Sequence, residues 1–305
     1  MTSVVSPAPS YELGGPDPAV VVEAVLAWYD VNARDLPWRR PDATPWAVMV
    51  SEFMLQQTPV ERVRGPWHTW MERWPTPAAL AAAPAGEAVR AWGRLGYPRR
   101  ALRLHRAAQV IVADHDGEVP ADRTTLLNLP GVGSYTAAAI ASFAYGRRET
   151  VLDTNVRRVL ARVAQGQAHP DPTLTKAETA LADTFVPVDP ARAARWAVGS
   201  MELGALVCTA RSPRCPVCPV EAHCRWRSAG QPAWDGPPRR GQAYDGTDRQ
   251  CRGALLAVLR SHDAAVESVE LDACWPDAPQ CERALDSLVA DGLVVSTGTG
   301  WALPG

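Results

Sequence analysis

Three features of the 305-residue sequence carry residue types that could do chemistry. The first is Glu52, the single acid in the apolar stretch Pro45–Gln57, "PWAVMVSEFMLQQ". An idle glutamate is costly on a buried helix face. Desolvation there is expected to raise its pKa, so that a proton donor exists near neutral pH. The second is Asp153 in "LDTNVRRVLAR", expected at a helix N-terminus. In that position it should stay ionised and stabilise positive charge, although a plain helix cap would use the same residue. The third is "CTARSPRCPVCPVEAHC", which sets Cys208, Cys215, Cys218 and Cys224 with six, two and five residues between them. Four thiolates can hold zinc or an iron–sulfur cluster. Zinc sites more often pair two short knuckles, whereas one knuckle here is flanked by single cysteines.

A fourth feature is a turn, Leu127–Ile140, "LNLPGVGSYTAAAI". A dinucleotide fingerprint needs a preceding strand and a third glycine, and a Walker loop needs Gly-Lys-Ser/Thr. Neither is present. Between two helices, glycines allow backbone angles closed to other residues. The amides of Gly131, Val132 and Gly133 could then face a phosphate at the N-terminus of the next helix. A tight turn between core helices is the plainer alternative. Charge distribution supports a polyanion. The net charge is −2, yet residues 34–110 hold 12 arginines against 6 acids, and residues 249–305 hold 4 against 8. Arg90, Arg94, Arg99, Arg100, Arg103 and Arg106 form a run that either contacts phosphate or is a solvated face. Of 31 basic residues, Lys176 is the only lysine.

Positioning these groups calls for helices. Apolar residues recur at helical spacing from Ala19 almost to residue 206, broken by short Pro/Gly/Asp turns, and no stretch before residue 230 alternates as strands. Residues 1–17 read as a disordered leader without signal-peptide character. No apolar run reaches the roughly 18 residues of a membrane span, so a cytoplasmic, nucleoid-associated protein without disulfides is expected. Residues 230–248 form a linker by composition. Residues 249–305 read as three short helices and a hairpin around Gly-Thr-Gly, a winged-helix-like domain. Its Cys251, Cys274 and Cys281 read as ordinary small core residues.

The turn "LPGVGSYTA" resembles the helix–hairpin–helix of DNA glycosylases related to endonuclease III, and "LDTNVRRVLAR" follows at that superfamily's distance. The resemblance runs from Trp28 to Trp226. "SEFMLQQT", Ser51–Thr58, resembles the catalytic-helix motif of the MutY-type adenine DNA glycosylases within it. The resemblance implies a mostly α fold of two helical modules with the active site between them, plus the small C-terminal domain. One module takes residues 18–38 and 148–229 and carries a [4Fe–4S] cluster on the four cysteines. The other, residues 39–147, is a six-helix barrel with the helix–hairpin–helix. The implied reaction removes adenine mispaired with 8-oxoguanine or guanine (also cytosine) from double-stranded DNA by base flipping. Such a bond breaks through an oxocarbenium-like sugar, which needs an acid and a nearby negative charge. Glu52 would protonate adenine N7, while Asp153 would stabilise the sugar cation or bond it transiently. Tyr135 and Asn155 would organise water and sugar, and Trp38, Arg39, Leu55 and Glu202 would line the adenine pocket. Gln57 would wedge into the base stack, and Tyr97 would intercalate beside the orphan guanine. Arg211, Arg214 and Arg225 would reach phosphates from the cysteine loop.

Bifunctional relatives carry a lysine where this chain has Tyr135, so strand cleavage is not expected. A monomer is expected, with a possible protein partner for the acidic C-terminal domain. The chain departs from the family in two places. Pro98 stands where a second tyrosine often follows Tyr97, and the 57 residues after the linker are too few for the Nudix-like domain of long members. Two alternatives remain open. One is a thymine or uracil mismatch glycosylase of the same superfamily, against which Glu52 argues. The other is a non-catalytic, cluster-containing DNA-binding protein.

Overall fold

The structure, a computed structural model, describes residues 15–237 and 244–305. Most of the expected leader and the middle of the expected linker lie outside the described residues. In chain order the helices are α1 (Pro18–Asn32), α2 (Pro45–Leu55), α3 (Val60–Arg73), α4 (Pro77–Ala81), α5 (Ala85–Trp92) and α6 (Arg99–Asp114). They continue as α7 (Arg123–Leu127), α8 (Ser134–Tyr145), α9 (Thr154–Leu160), α10 (Lys176–Thr184), α11 (Pro190–Leu206) and α12 (Arg225–Ser228). The last three are α13 (Asp248–Ser261), α14 (Ser268–Asp272) and α15 (Ala278–Ala290), followed by strands β1 (Val295–Thr297) and β2 (Gly300–Ala302).

The abundant prolines explain many of the starts. Asp17, Thr44, Thr76 and Asp189 each accept a backbone N–H of the first turn, and each is followed directly by proline. The cap satisfies one orphan donor, and the proline lacks another that would have no partner.

The chain divides into two compact units. The first takes residues 15–34 and 146–237. Within it α11 packs against α1 and α9, and α10 lies along α9. Val25, Val159, Phe185, Trp196 and Leu203 form the centre of its core, with the Phe185 and Trp196 rings stacked. Helix α9 widens into a π turn, Ala161–Gln165, which Gly166 ends at φ 74°.

The second unit takes residues 35–145 and 244–305. Seven helices, α2 to α8, occupy the segment expected to hold six. The additional one, α4, has only five residues, too few to display a helical period. Helix α2 is buried from Trp46 to Met54 and packs on α3, α6 and α8. Trp67, Trp70, Trp74 and Trp92 fill the space around it; the Trp67 and Trp46 indoles donate to the carbonyls of Ala47 and Trp74.

Helices α13–α15 and the β1–β2 hairpin, paired Val295↔Ala302 to Thr297↔Gly300, pack onto α5 and α6 of the same unit. Val89 of α5 is fully buried within their core, beside Leu255, Leu259 and Leu271. The Gly86 amide donates to the carbonyl of Pro304 at 2.6 Å. Arg90 donates to the carbonyls of Arg260 and His262, and Arg260 returns a bond to that of Val89. Arg99 of α6 pairs with Asp291 at 3.2 Å. A side chain at Gly86 would collide with the carbonyl of Pro304, so the chain end and α5 approach as only glycine permits. Cys251 and Cys281 are core residues as expected, and Cys274 is half-buried.

Candidate active site and cysteine loop

In the second unit, α2 carries Glu52 with only 5% of its surface exposed. Leu55 follows on the same helix, half-buried, and the exposed Gln57 lies just past its end. Gln56 donates to Thr136 Oγ1 of α8 at 3.3 Å, which ties the end of α2 to the residue after the half-buried Tyr135. Trp38 belongs to the core, edge-on to Trp67 at 5.7 Å between ring centres, and Arg39 beside it is half-buried. Tyr97 is 46% exposed. Both Gln57 and Tyr97 hold positive φ, 56° and 47°, a region that side chains other than glycine seldom enter.

The Gly-x-Gly turn is built for close packing. Gly131 has φ 82°, and a Cβ on it would meet Arg103 at 2.8 Å and Phe53 at 2.9 Å. The Val132 amide donates to the carbonyl of Leu129 at 3.1 Å and its side chain is buried. It therefore closes the turn. Gly133 differs from Gly131: it lacks positive φ, and a Cβ there would meet nothing within 4 Å.

The other candidates belong to the first unit. Asp153 caps α9, accepting the amides of Asn155 at 2.8 Å and Val156 at 2.7 Å. The Asn155 side chain donates to its second oxygen at 2.7 Å. Burial pushes the Asp153 carboxyl above the usual aspartate range; these hydrogen bonds and the charge of Arg158 oppose the rise. Burial thus works against the ionised form that the cap position implied. Arg158, itself buried, donates to Asn155 Oδ1, to the carbonyl of Gly204 and to that of Cys208, each at 2.8 Å. Glu202 of α11 is fully buried and binds Arg34 by both oxygens, at 2.6 and 2.8 Å to the guanidinium. At Gly204, a Cβ would stand 2.7 Å from that of Asn155, so glycine lets α11 approach the α9 cap.

All four expected cysteines, with Val159, Leu203, Val207 and Trp226, line one small pocket that is partly open to solvent. Among the described residues, no three His, Cys, Asp or Glu come close enough to hold a single metal ion. Burial drives the Cys218 thiol up to about 12, with the other three cysteines adding to the rise, and it pushes Cys224 up as well. Arg162 and Gln231 donate to the sulfurs of Cys208 and Cys215, each at 3.4 Å. Arg162 also grips the carbonyls of Ala168, Thr209 and Ala210 and stacks on Trp226. Arg214 and Arg225, expected at phosphates, bond the carbonyls of Leu206 and Ala164 within the unit; Arg211 is exposed.

Sequence reasoning missed Arg34, Arg158, Arg162 and Gly204, and it placed Arg100 in a run facing phosphate or solvent, whereas that side chain is buried. Only the spacing of Arg158 and Arg162, four apart on one helix face, could have hinted at inward-facing guanidiniums.

These features belong to a recognised class. The model for the HhH-GPD superfamily of base excision DNA repair proteins matches residues 50–183. The fold resembles that of a thermostable thymine-DNA glycosylase, with a TM-score of 0.63 and 28% identity over 70% of this chain and 97% of that one. It also resembles endonuclease III trapped on DNA, with a TM-score of 0.60 and 23% identity over 70% and 97%. In sequence, the chain is 54% identical to the adenine DNA glycosylase of Mycobacterium tuberculosis, across 92% of each chain. It is 46% identical to the human adenine DNA glycosylase, over 67% of this chain and 39% of that protein. The chain belongs to the adenine DNA glycosylase family, base-excision-repair hydrolases that act on N-glycosyl bonds. Among the described residues no helix is long and apolar enough to cross a membrane.

Proposed function

We propose that the enzyme removes adenine mispaired with 8-oxoguanine, and with guanine or cytosine, from double-stranded DNA, and leaves the strand intact. The observation that carries this reading is Glu52, a carboxyl only 5% exposed on a helix buried from Trp46 to Met54. Such surroundings disfavour a carboxylate and favour the acid form that a leaving base needs. The C1′–N9 bond breaks with its electron pair leaving on adenine, which takes the Glu52 proton at N7. Asp153 supplies negative charge to the sugar cation, held for that task by the two amides and Asn155. Water then adds to C1′ and returns a proton to Glu52. Tyr135 and Asn155 take the roles of orienting water and sugar, and Trp38, Arg39, Leu55 and Glu202 those of contacting adenine. Gln57 and Tyr97 enter the base stack, and Gly131 and Gly133 receive the backbone; the open space over Gly133 supports that approach. With tyrosine at position 135 and the chain's single lysine at 176, position 135 offers no amine for strand cleavage.

We further propose that Cys208, Cys215, Cys218 and Cys224 hold a [4Fe–4S] cluster. The pocket that all four cysteines share supports it, as does their spacing, a single knuckle flanked by single cysteines. Bound there, the cluster would tie the loop's own ends together, packed against Val159 of α9 and Leu203 of α11, as a structural element.

Single-turnover cleavage of duplexes centred on A:8-oxoguanine, A:G, A:C and T:G, with and without hot alkali, tests the reading. Alkali-dependent nicking at adenine, lowered about 100-fold or more in Glu52→Gln with DNA binding retained, is expected. Nicking at thymine would move the chain to the mismatch class, and nicking without alkali would refute the monofunctional mechanism.

A further inference from the structure

We propose that Arg100 is a positioning residue whose buried guanidinium clamps the Gln57 and Tyr97 tips in the form that opens a duplex. The inference rests on the reading above, in which those two side chains enter the base stack. Arg100 is only 5% exposed. One nitrogen, Nη1, donates to the carbonyls of Phe53 at 2.9 Å and Met54 at 3.0 Å, and to that of Gln56. These are the carbonyls at the end of α2, immediately before Gln57. The other, Nη2, donates to Thr58 Oγ1 at 2.9 Å and to the carbonyls of Leu95 at 3.3 Å and Gly96 at 2.9 Å. Those carbonyls precede Tyr97. The Thr58 hydroxyl in turn donates to the carbonyl of Leu95 at 3.2 Å, bridging the two tips. Both sides of the clamp are therefore the last fixed points before a residue of positive φ.

The guanidinium also faces two rings, lying 5.1 Å from the centre of Trp92 and 5.6 Å from that of Tyr97. Carbonyls at a helix end that point inward, away from water, need a donor, and one planar fork can satisfy several in a fixed relation. A wedge works only if it does not yield when a base stack presses on it. Two exposed tips in rarely populated backbone conformations would relax without an anchor. Arg100 supplies that anchor for both together, so pushing on one tip is resisted by the other.

The test measures single-turnover excision from the A:8-oxoguanine duplex, and the fluorescence rise of a 2-aminopurine placed beside the target adenine, at saturating protein. The proteins are wild type, Gln57→Ala, Tyr97→Ala, Arg100→Met, Arg100→Lys and Thr58→Val. Arg100→Met should lower the excision rate about tenfold, the equivalent of one hydrogen bond to a charged group, and suppress the fluorescence rise. Arg100→Lys should recover part of both. Thr58→Val, nearly isosteric and keeping the arginine, should lower both by a smaller factor, and it decides the matter if Arg100→Met does not fold. Adding Gln57→Ala to Arg100→Met should cause little further loss, since the wedge is already unanchored. A normal fluorescence rise in Arg100→Met and Thr58→Val beside a defective Gln57→Ala would overturn the clamp and leave the wedge standing. A normal rise in Gln57→Ala and Tyr97→Ala would instead overturn the reading of the tips, and the clamp with it. If wild type opens the duplex without excising adenine, the assigned activity fails while the fluorescence still decides the clamp.

Discussion

Val89 offers a direct test of how the C-terminal helices are held. It belongs to α5, yet it is fully buried among side chains from α13 and α14. Replacing it with alanine removes about two methyl equivalents from a packed interior, or roughly 1.6 kcal/mol of transfer free energy. The cavity that remains raises this to about 2 kcal/mol. The hydrogen bonds on either side, from Gly86 to Pro304 and from Arg260 to Val89's own carbonyl, involve backbone groups and survive the substitution. For a unit of this size, 2 kcal/mol corresponds to a fall in Tm of roughly 4–8 °C. Hydrogen exchange should rise together in α5 and α13, because both lose the same contact. Adenine excision at saturating DNA should be unchanged within about twofold, since no proposed catalytic group touches Val89. Deleting 249–305 should do more: it exposes Val89 and strips the donors of Arg90 of their carbonyl partners. A Val89→Ala protein with wild-type Tm and exchange would refute the reasoning. It would mean that the hydrogen bonds and ion pair to α5 and α6, and not Val89, hold the C-terminal helices.

Further predictions concern the other unit and the cysteine loop. Gly204→Ala forces a methyl to within 2.7 Å of the Asn155 Cβ, and overpacking of this kind costs about 1–3 kcal/mol. Excision should fall more than DNA affinity, because the displaced residue holds Asp153; an unchanged rate would refute this. Burial holds the Asp153 pKa above its ordinary value, so the folded state binds the proton more tightly than the unfolded chain. The carboxylate's penalty is absent below the unfolded pKa and grows as pH rises towards the folded one. Asp153→Asn, an equally good cap, should therefore be inactive yet more stable than wild type at neutral pH. That advantage should shrink in melts at falling pH, and a constant gap would refute the cause. Protein purified without oxygen should carry about four irons and four acid-labile sulfides per chain, and a single zinc would refute the cluster.

Much of the site could be read locally because its signals are local. Glu52 stands out as one charge in an apolar helix. Asp153 announces itself as a cap two residues from Asn155, and the cap bonds span two and three positions. The four cysteines declare themselves by spacing, and Cap-Pro pairs mark where helices begin. Gly131 is intelligible as a turn, although the reason that nothing larger fits, Arg103 and Phe53 pressed against it, is not local. What escaped the sequence are the partnerships formed across long separations. Arg34 reaches Glu202 over 168 positions, Arg90 reaches His262 over 172, and Arg100 gathers carbonyls 46 and 47 positions away. In a chain with 30 arginines, an inward guanidinium and a solvated one look alike, since both obey the same helical spacing. The same holds for Val89, whose apolar side chain fits the barrel's periodicity but is buried by a segment more than 160 residues later. Local periodicity and capping chemistry determine where helices lie and which faces are apolar. Which buried carbonyls an arginine must satisfy, and which core a valine joins, was decided only when distant segments packed together.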